Sequence, residues 1–526
     1  MAHMWFGDLV TMTWWDDLWL KESFADFMGA LASAEATRFT GAWVTFANRR
    51  KEWAYQQDQL PTTHPIVADV PDLEAAKLNF DGITYAKGAS VLKQLVAFVG
   101  RDAFLAGVRR YFRTFEFANT TLDDLLTALS TESARDLTEW SRAWLESTGV
   151  SVLELEASRL EQTLPKPHRL AVGVYDADDA GALVRTDRVA VEITGPQTPV
   201  ETPGGALVVV NDDDLTYAIT RLDDRSLDTA EHSLARVADA MPRGLVWSSL
   251  WNATRDAVLP VPRYLAIVTA QAPGETHVGL LAGVLANAGF AIERYLPPSR
   301  RPAARTALLD LAWQALHDAE PGSGLQLTWA RAVASAASRT DGRAADVRAL
   351  LAGEATVPGL RLDPDLRWAL WTALAATGNA DLADLDGELA RDDTGSGAVA
   401  HVRAAAARPD PEVAAAARHA IHDDRSLSND RIGALVAGLR TGPAAPTPSR
   451  YVADYFASLR QVWAERSIEI ARRIVVGLFP ATDDTEAVDT WLADNGDAPG
   501  ALRRLVVEQR DGLARALRVQ AAGEPS

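Results

Sequence analysis

The chain has no cysteine among its 526 residues, which excludes disulfide cross-links, thiolate nucleophiles and cysteine metal sites. A cytoplasmic setting is the natural expectation for such a composition. Positive charge is scarce: Lys plus Arg number 52 against 71 Asp plus Glu, a net charge of −19. That balance argues against nucleic acid as a partner, because phosphates need a basic face. Long apolar runs are missing as well. GLLAGVLANAGFAI, from Gly279, falls short of the roughly 20 residues that cross a bilayer, so no membrane span is expected. Its Gly279-x-x-x-Gly283 spacing reads instead as close helix packing. Met1 leads into no basic and apolar signal segment. No Gly-rich phosphate loop and no Gly-x-Ser-x-Gly elbow occurs.

What is present argues for a folded protein of about three domains. Hydrophobic residues make up 48% and tryptophan numbers 16, enough to build cores. Residues 1–150 read as helical, with FTGAWVTFANRRKEWAYQQDQ placing Trp43, Phe46 and Trp53 in one apolar stripe. A loop, LPTTHPIVADVPD, follows, and NFDGITYAKGASVLKQLVAFVG enters a long helix. From 151 to 222 the hydrophobic period changes to two, in VLELE, RLAVGVYD, RVAVEITGP and LVVVNDDDLTYAITRLD, which predicts a small β-sandwich module. From 223 to 526 the chain is helical again, rich in Ala, Leu and Arg, with breaks at PG, TDG, RPDP and TGPAAPTPS. Asp410-Pro411 opening an alanine-rich helix resembles one unit of an irregular helical solenoid. The fold class expected is mainly α with a small β-sandwich.

The chemistry-bearing residues gather in the first segment. His3 and Glu22 are separated by 18 residues. Leu20, Phe24, Phe27 and Leu31 are apolar at helical spacing, which sets Glu22 on a helix lining a cleft or core. A neutral imidazole on one helix and a carboxylate on another make a ligand pair suited to zinc, whose catalytic sites use three protein ligands and one open position. Ser90-Val91-Leu92-Lys93 fits Ser-x-x-Lys, but Leu92 and Leu95 mark that helix as core-facing and the partner motifs are absent. His419 and His422 sit three apart before Asp423 and Asp424, where a solvated helix face is the expectation.

HMWFGDLVT and WWDDLWLKESFA resemble the aminopeptidase N family of zinc gluzincin aminopeptidases, in which His-Glu-x-x-His is followed after 18 residues by Glu. The resemblance implies that His3 and Glu22 are zinc ligands and that residues 1–150 are the C-terminal half of a thermolysin-like catalytic domain. In NFDGITYAKGASVLKQL it makes Tyr85 the phenol that donates to the tetrahedral intermediate. Asp26 is either a carboxylate orienting a ligand histidine or part of a solvated face, and His64 a structural element near the cleft. VVVNDDDLTYAITRLD and ADAMPRGLVWSSLWNATRDAVL are similar to the family's β-domain end and the opening of its helical domain. The N-terminal β-domain, the Gly-x-Met-Glu-Asn loop and the first His-Glu of the motif have no counterpart here, so the expectation is a chain truncated inside its zinc motif. On the family arrangement Trp5, Phe6, Trp14, Trp15 and Trp19 would then lack their packing partners. The implied function is zinc-dependent removal of N-terminal residues from peptides with a free N-terminus, with zinc weak or absent and activity lost in this chain. The alternative is a non-catalytic helical-repeat scaffold that binds peptides or proteins.

Overall fold

The computed structural model describes residues 1–70, 79–443 and 447–523. The chain is mainly helical with small sheets and folds as two compact units. One comprises Met1–Thr254 with Ala270–Gly283, the other Arg255–Thr269 with Val284–Ser526. Among the described residues no helix is long and apolar enough to cross a membrane.

The first unit opens with a 3-10 turn, Ala2–Met4, and a short strand, Val10–Met12, paired in parallel with Ala118–Thr120. Helix Leu18–Ala36 follows and buries Leu20, Phe24 and Phe27 at helical spacing. The next helix runs Ala42–Thr45, widens into a π turn at Phe46–Arg50 and continues through Lys51–Asp58. The segment expected as a loop has no helix or strand through Val70, and its last two residues lie outside the described ones. A second π turn, Ile83–Lys87, leads into helix Gly88–Val99. Helices Arg101–Phe115, Leu122–Ser133 and Thr138–Leu145 complete the layer. Thr121 and Asp124 form a capping box at the second of these, satisfying N–H groups the helix itself cannot.

The aromatics divide differently from expectation. Phe6 is fully buried, stacked on Tyr111 with ring centroids 5.3 Å apart, and Trp19 is buried in the same core. The helices that follow them in sequence supply their partners. Trp5 and Trp14 are exposed and Trp15 is half-buried. Trp53 is not in the core stripe either: Phe46 is, while Trp53 stands at the surface against Tyr85.

The β-module joins two small sheets. One has the order Gln197–Pro199, Arg159–Gln162, Val152–Glu156, Ile219–Thr220; the other runs Leu183–Ile193, His168–Ala177, Leu207–Val210. Leu153, Leu155 and Leu160 of the first share one core with Leu170, Val172, Val191 and Val210 of the second. Two sheets burying their apolar faces together make a sandwich. Helices Asp224–Ser233 and Ala240–Arg255 follow it, the first wholly within this unit. Gly279 lies where a Cβ would come within 2.9 Å of Thr45, a close approach that Gly283 does not share.

In the second unit every other helix packs together. Gly324–Ala337 lies on Pro364–Ala376, then come Gly395–Ala406, Asn429–Leu439, Ile468–Gly477 and Gly500–Ala522 in turn. Such alternation is the helical-hairpin stacking of a solenoid. One expected break, RPDP, is a helix start: Asp410 accepts a main-chain N–H as N-cap ahead of Pro411, and Asp363, Thr394, Ser428 and Ser467 cap other helices in the same way.

Candidate metal and catalytic site

His3 and Glu22 meet. The 3-10 turn brings His3 over helix Leu18–Ala36, where its Nε2 stands 3.5 Å from Glu22 Oε2. His3 Nδ1 lies 3.3 Å from the Phe6 carbonyl oxygen. An Nδ1–H donating there leaves Nε2 with a bare lone pair, the state in which imidazole binds metal. Two lone-pair donors each about 2.0–2.2 Å from one tetrahedral zinc stand roughly 3.3–3.6 Å apart, so this pair fits one edge of such a site. Among the described residues no third carboxylate or imidazole donor joins them; the cluster of that size is Asp228, Glu231 and His232, on another helix.

Tyr85 comes to the same carboxylate. Burial pushes its phenol above the ordinary value, and the charge of Glu22 and a hydrogen bond to it push it further, while Arg50 opposes. The proton is therefore held on the oxygen, as a donor requires. Local packing fixes this meeting. Ser23 Oγ, next to Glu22, donates to the Thr84 carbonyl at 2.6 Å. Gly88 lets the two helices touch, since a Cβ there would fall 1.9 Å from Ser23 Oγ. His64 Nε2 pairs with Asp81 Oδ2 at 3.1 Å, and the other Asp81 oxygen accepts the main-chain N–H of Ile83 at 2.9 Å. His64 thus steadies the turn that carries Tyr85 rather than facing a metal.

Asp26 is half-buried and paired with Arg50. It accepts from Arg50 Nε at 3.0 Å and from its terminal nitrogen at 2.6 Å. Arg50 was not singled out from the sequence and Trp53 was read there as a member of the apolar stripe; a helical apolar period gives no sign that one of its members stands beside Tyr85. Buried ion pairs back the same helices: Lys87 with Asp58 at 2.9 Å, and Lys51 and Lys93 both with Asp214. Ser90 donates to the Ala86 carbonyl and Lys93 to Asp214, so the Ser-x-x-Lys pattern holds no nucleophile pair. His419 pairs with Asp423 on an exposed face.

Comparison with known proteins gives the family. Residues 1–144 match the Peptidase family M1 domain, and residues 207–515 match the ERAP1-like C-terminal domain. The chain belongs to the aminopeptidase N-like M1 family. It is 44% identical to aminopeptidase N of Streptomyces lividans over 99% of this chain and 64% of that protein. Leucyl aminopeptidase of Saccharolobus solfataricus is 35% identical over 33% of this chain and 22% of its own. Alanine/arginine aminopeptidase of Saccharomyces cerevisiae is 32% identical over 33% and 20% respectively. The chain thus spans less than two thirds of each of these relatives.

Proposed function

We propose that this chain carries part of a zinc aminopeptidase centre: His3 and Glu22 as metal ligands, and Tyr85 as the hydrogen-bond donor to the tetrahedral oxyanion. The observation that carries the reading is that Glu22 is shared: His3 Nε2 stands 3.5 Å from its Oε2, and the Tyr85 phenol hydrogen-bonds to the same carboxylate. When bound, zinc supplies Lewis-acid activation of water and of the scissile carbonyl. On this reading the chain's own contribution is an imidazole, a buried carboxylate and a protonated phenol. A phenol held in its neutral form donates to an oxyanion without first having to gain a proton. The substrate class on this reading is peptides with a free N-terminus, met in the cytoplasm. Residues 1–150 serve as the site, 151–222 as a spacer and 223–526 as a helical repeat. The family's first zinc histidine and general-base glutamate do not occur in these residues, so a polypeptide of the 526 residues alone holds zinc weakly and does not turn over.

The test joins, ahead of Met1, the part of the S. lividans aminopeptidase N that precedes its match to this chain. The chimera should hydrolyse aminoacyl-anilides in a chelator-sensitive way, and the 526-residue chain should not. Tyr85→Phe in the chimera should lower kcat by roughly 10²–10³ with little change in KM. An inert, folded, zinc-loaded chimera would sink the site assignment. Stoichiometric zinc and turnover in the 526-residue chain would sink the inactivity.

A further inference from the structure

Tyr85 is held by more than its own helix. Trp53 stacks with it, ring centroids 6.3 Å apart and planes at 22°. The Arg50 guanidinium lies 5.0 Å from the centroid of the same indole. Arg50 in turn grips Asp26, one helical turn beyond Glu22 on the same helix. The contacts close a ring: Glu22 and Asp26 on one helix, Arg50 and Trp53 on the next, Tyr85 on the third and back to Glu22. Displacing one member tilts its neighbours.

The helix bearing Arg50 and Trp53 is pinned from its other side. Asn48 donates to the Gly244 carbonyl at 2.8 Å, Tyr55 to the Ala218 carbonyl at 2.7 Å, and Asn252 to Glu52 at 2.9 Å. Arg50 and Tyr85 also sit on the two π turns of this segment, Phe46–Arg50 and Ile83–Lys87. A π turn adds a residue to one helical turn and re-aims the side chains around it, a device that recurs at functional sites. Both turns aim toward Trp53. Arginine is suited to the junction because its planar fork can grip a carboxylate while its face covers an aromatic ring; lysine supplies the charge without the plane.

Resting on the reading of Tyr85 as oxyanion donor, we propose that Arg50 is a positioning residue, which through Trp53 and Asp26 fixes the plane and place of the Tyr85 ring against Glu22. The arrangement is preorganised: the ring need not be ordered when substrate arrives.

The test reads the ring directly. In the 526-residue chain labelled with 3-fluorotyrosine, the Tyr85 fluorine resonance is identified by its loss in Tyr85→Phe. Arg50→Met should shift and broaden that resonance, and Arg50→Lys should restore it in part. Asn48→Ala, which loosens the helix elsewhere, should lower the melting temperature and leave the resonance in place. In the chimera, Arg50→Met should lower kcat roughly tenfold with KM little changed. An unmoved resonance in folded Arg50→Met protein overturns the proposal. So does an equal kcat loss in Asn48→Ala, which would make the effect one of general packing. A Tyr85→Phe chimera with undiminished kcat would overturn the oxyanion reading instead, while the resonance shift would still report the positioning.

Discussion

Lys87 and Asp58 face each other at 2.9 Å with both side chains fully buried. Burial lowers the lysine's pKa, and Asp58 opposes that by holding the charge. Asp58 also takes hydrogen bonds from Thr63, Gly149 and Tyr217, so its carboxylate depends on several donors at once. Lys87→Met strands that carboxylate away from water, a loss of about 3–5 kcal/mol. Urea unfolding should show it, and Lys87→Met paired with Asp58→Asn should recover much of it. Among the described residues His168 has no carboxylate to hold its charge. Its ring is buried between Thr216 and Gln162, and burial pulls its pKa from 6.5 down to about 3. Between those values the unfolded chain binds the proton that the folded chain refuses. The stability His168 contributes is therefore whole above pH 6.5 and is lost as pH falls toward 3. His168→Gln should flatten that limb of the stability–pH curve, measured by denaturant titration at each pH. A variant curve as steep as the parent's would mean another group carries the acid sensitivity.

Among the secondary-structure elements, the Glu22 and Tyr85 helices are set together by a single small residue. Gly88 opens its helix where a Cβ would strike Ser23 Oγ at 1.9 Å and Ser23 Cβ at 2.8 Å. Gly88→Ala must push the helices apart or displace Ser23 from the Thr84 carbonyl. The expected cost is about 1–3 kcal/mol, the usual range for overpacking, with weaker zinc retention in the chimera. Ser23→Ala in the same protein removes the nearer clash, and the double variant should melt above Gly88→Ala alone. If the two losses simply add, the helices meet elsewhere. The elements were largely legible in the sequence because their hydrophobic periods are regular. The π turns were not, since one extra residue per turn leaves no mark in a pattern of apolar positions.

For the whole molecule, the two units exchange short segments. Arg255–Thr269 belongs to the second unit and Ala270–Gly283 to the first. Val261, Tyr264, Ile267 and Val268 of the exchanged segment are buried, and Arg515 pairs with Asp256 at 3.0 Å within the second unit. A fragment of residues 255–526 keeps the Arg515–Asp256 pair and a fragment of 284–526 does not. The longer should melt cooperatively and the shorter several degrees lower or not at all, as followed by circular dichroism. Equal melting of the two would show that the exchanged helix is dispensable to the solenoid.

By itself the sequence determined the class of each region, because burial forces a period of 3.6 on helices and of two on half-buried strands. It pointed to the meeting of His3 and Glu22 too, whose spacing a turn and one helix bring together. Tertiary structure alone decided the partners that lie far apart in the chain. Lys51 reaches Asp214 across 163 residues, and Lys93 reaches the same carboxylate across 121. It also decided that Phe6 and Trp19 are core, that Trp53 is not, and that Arg50 lies over the Trp53 ring stacked on Tyr85. The physical reason is range. Periodicity records which side of an element is dry, whereas the choice of what covers it, and which charge it meets, is made by elements that the local pattern never sees.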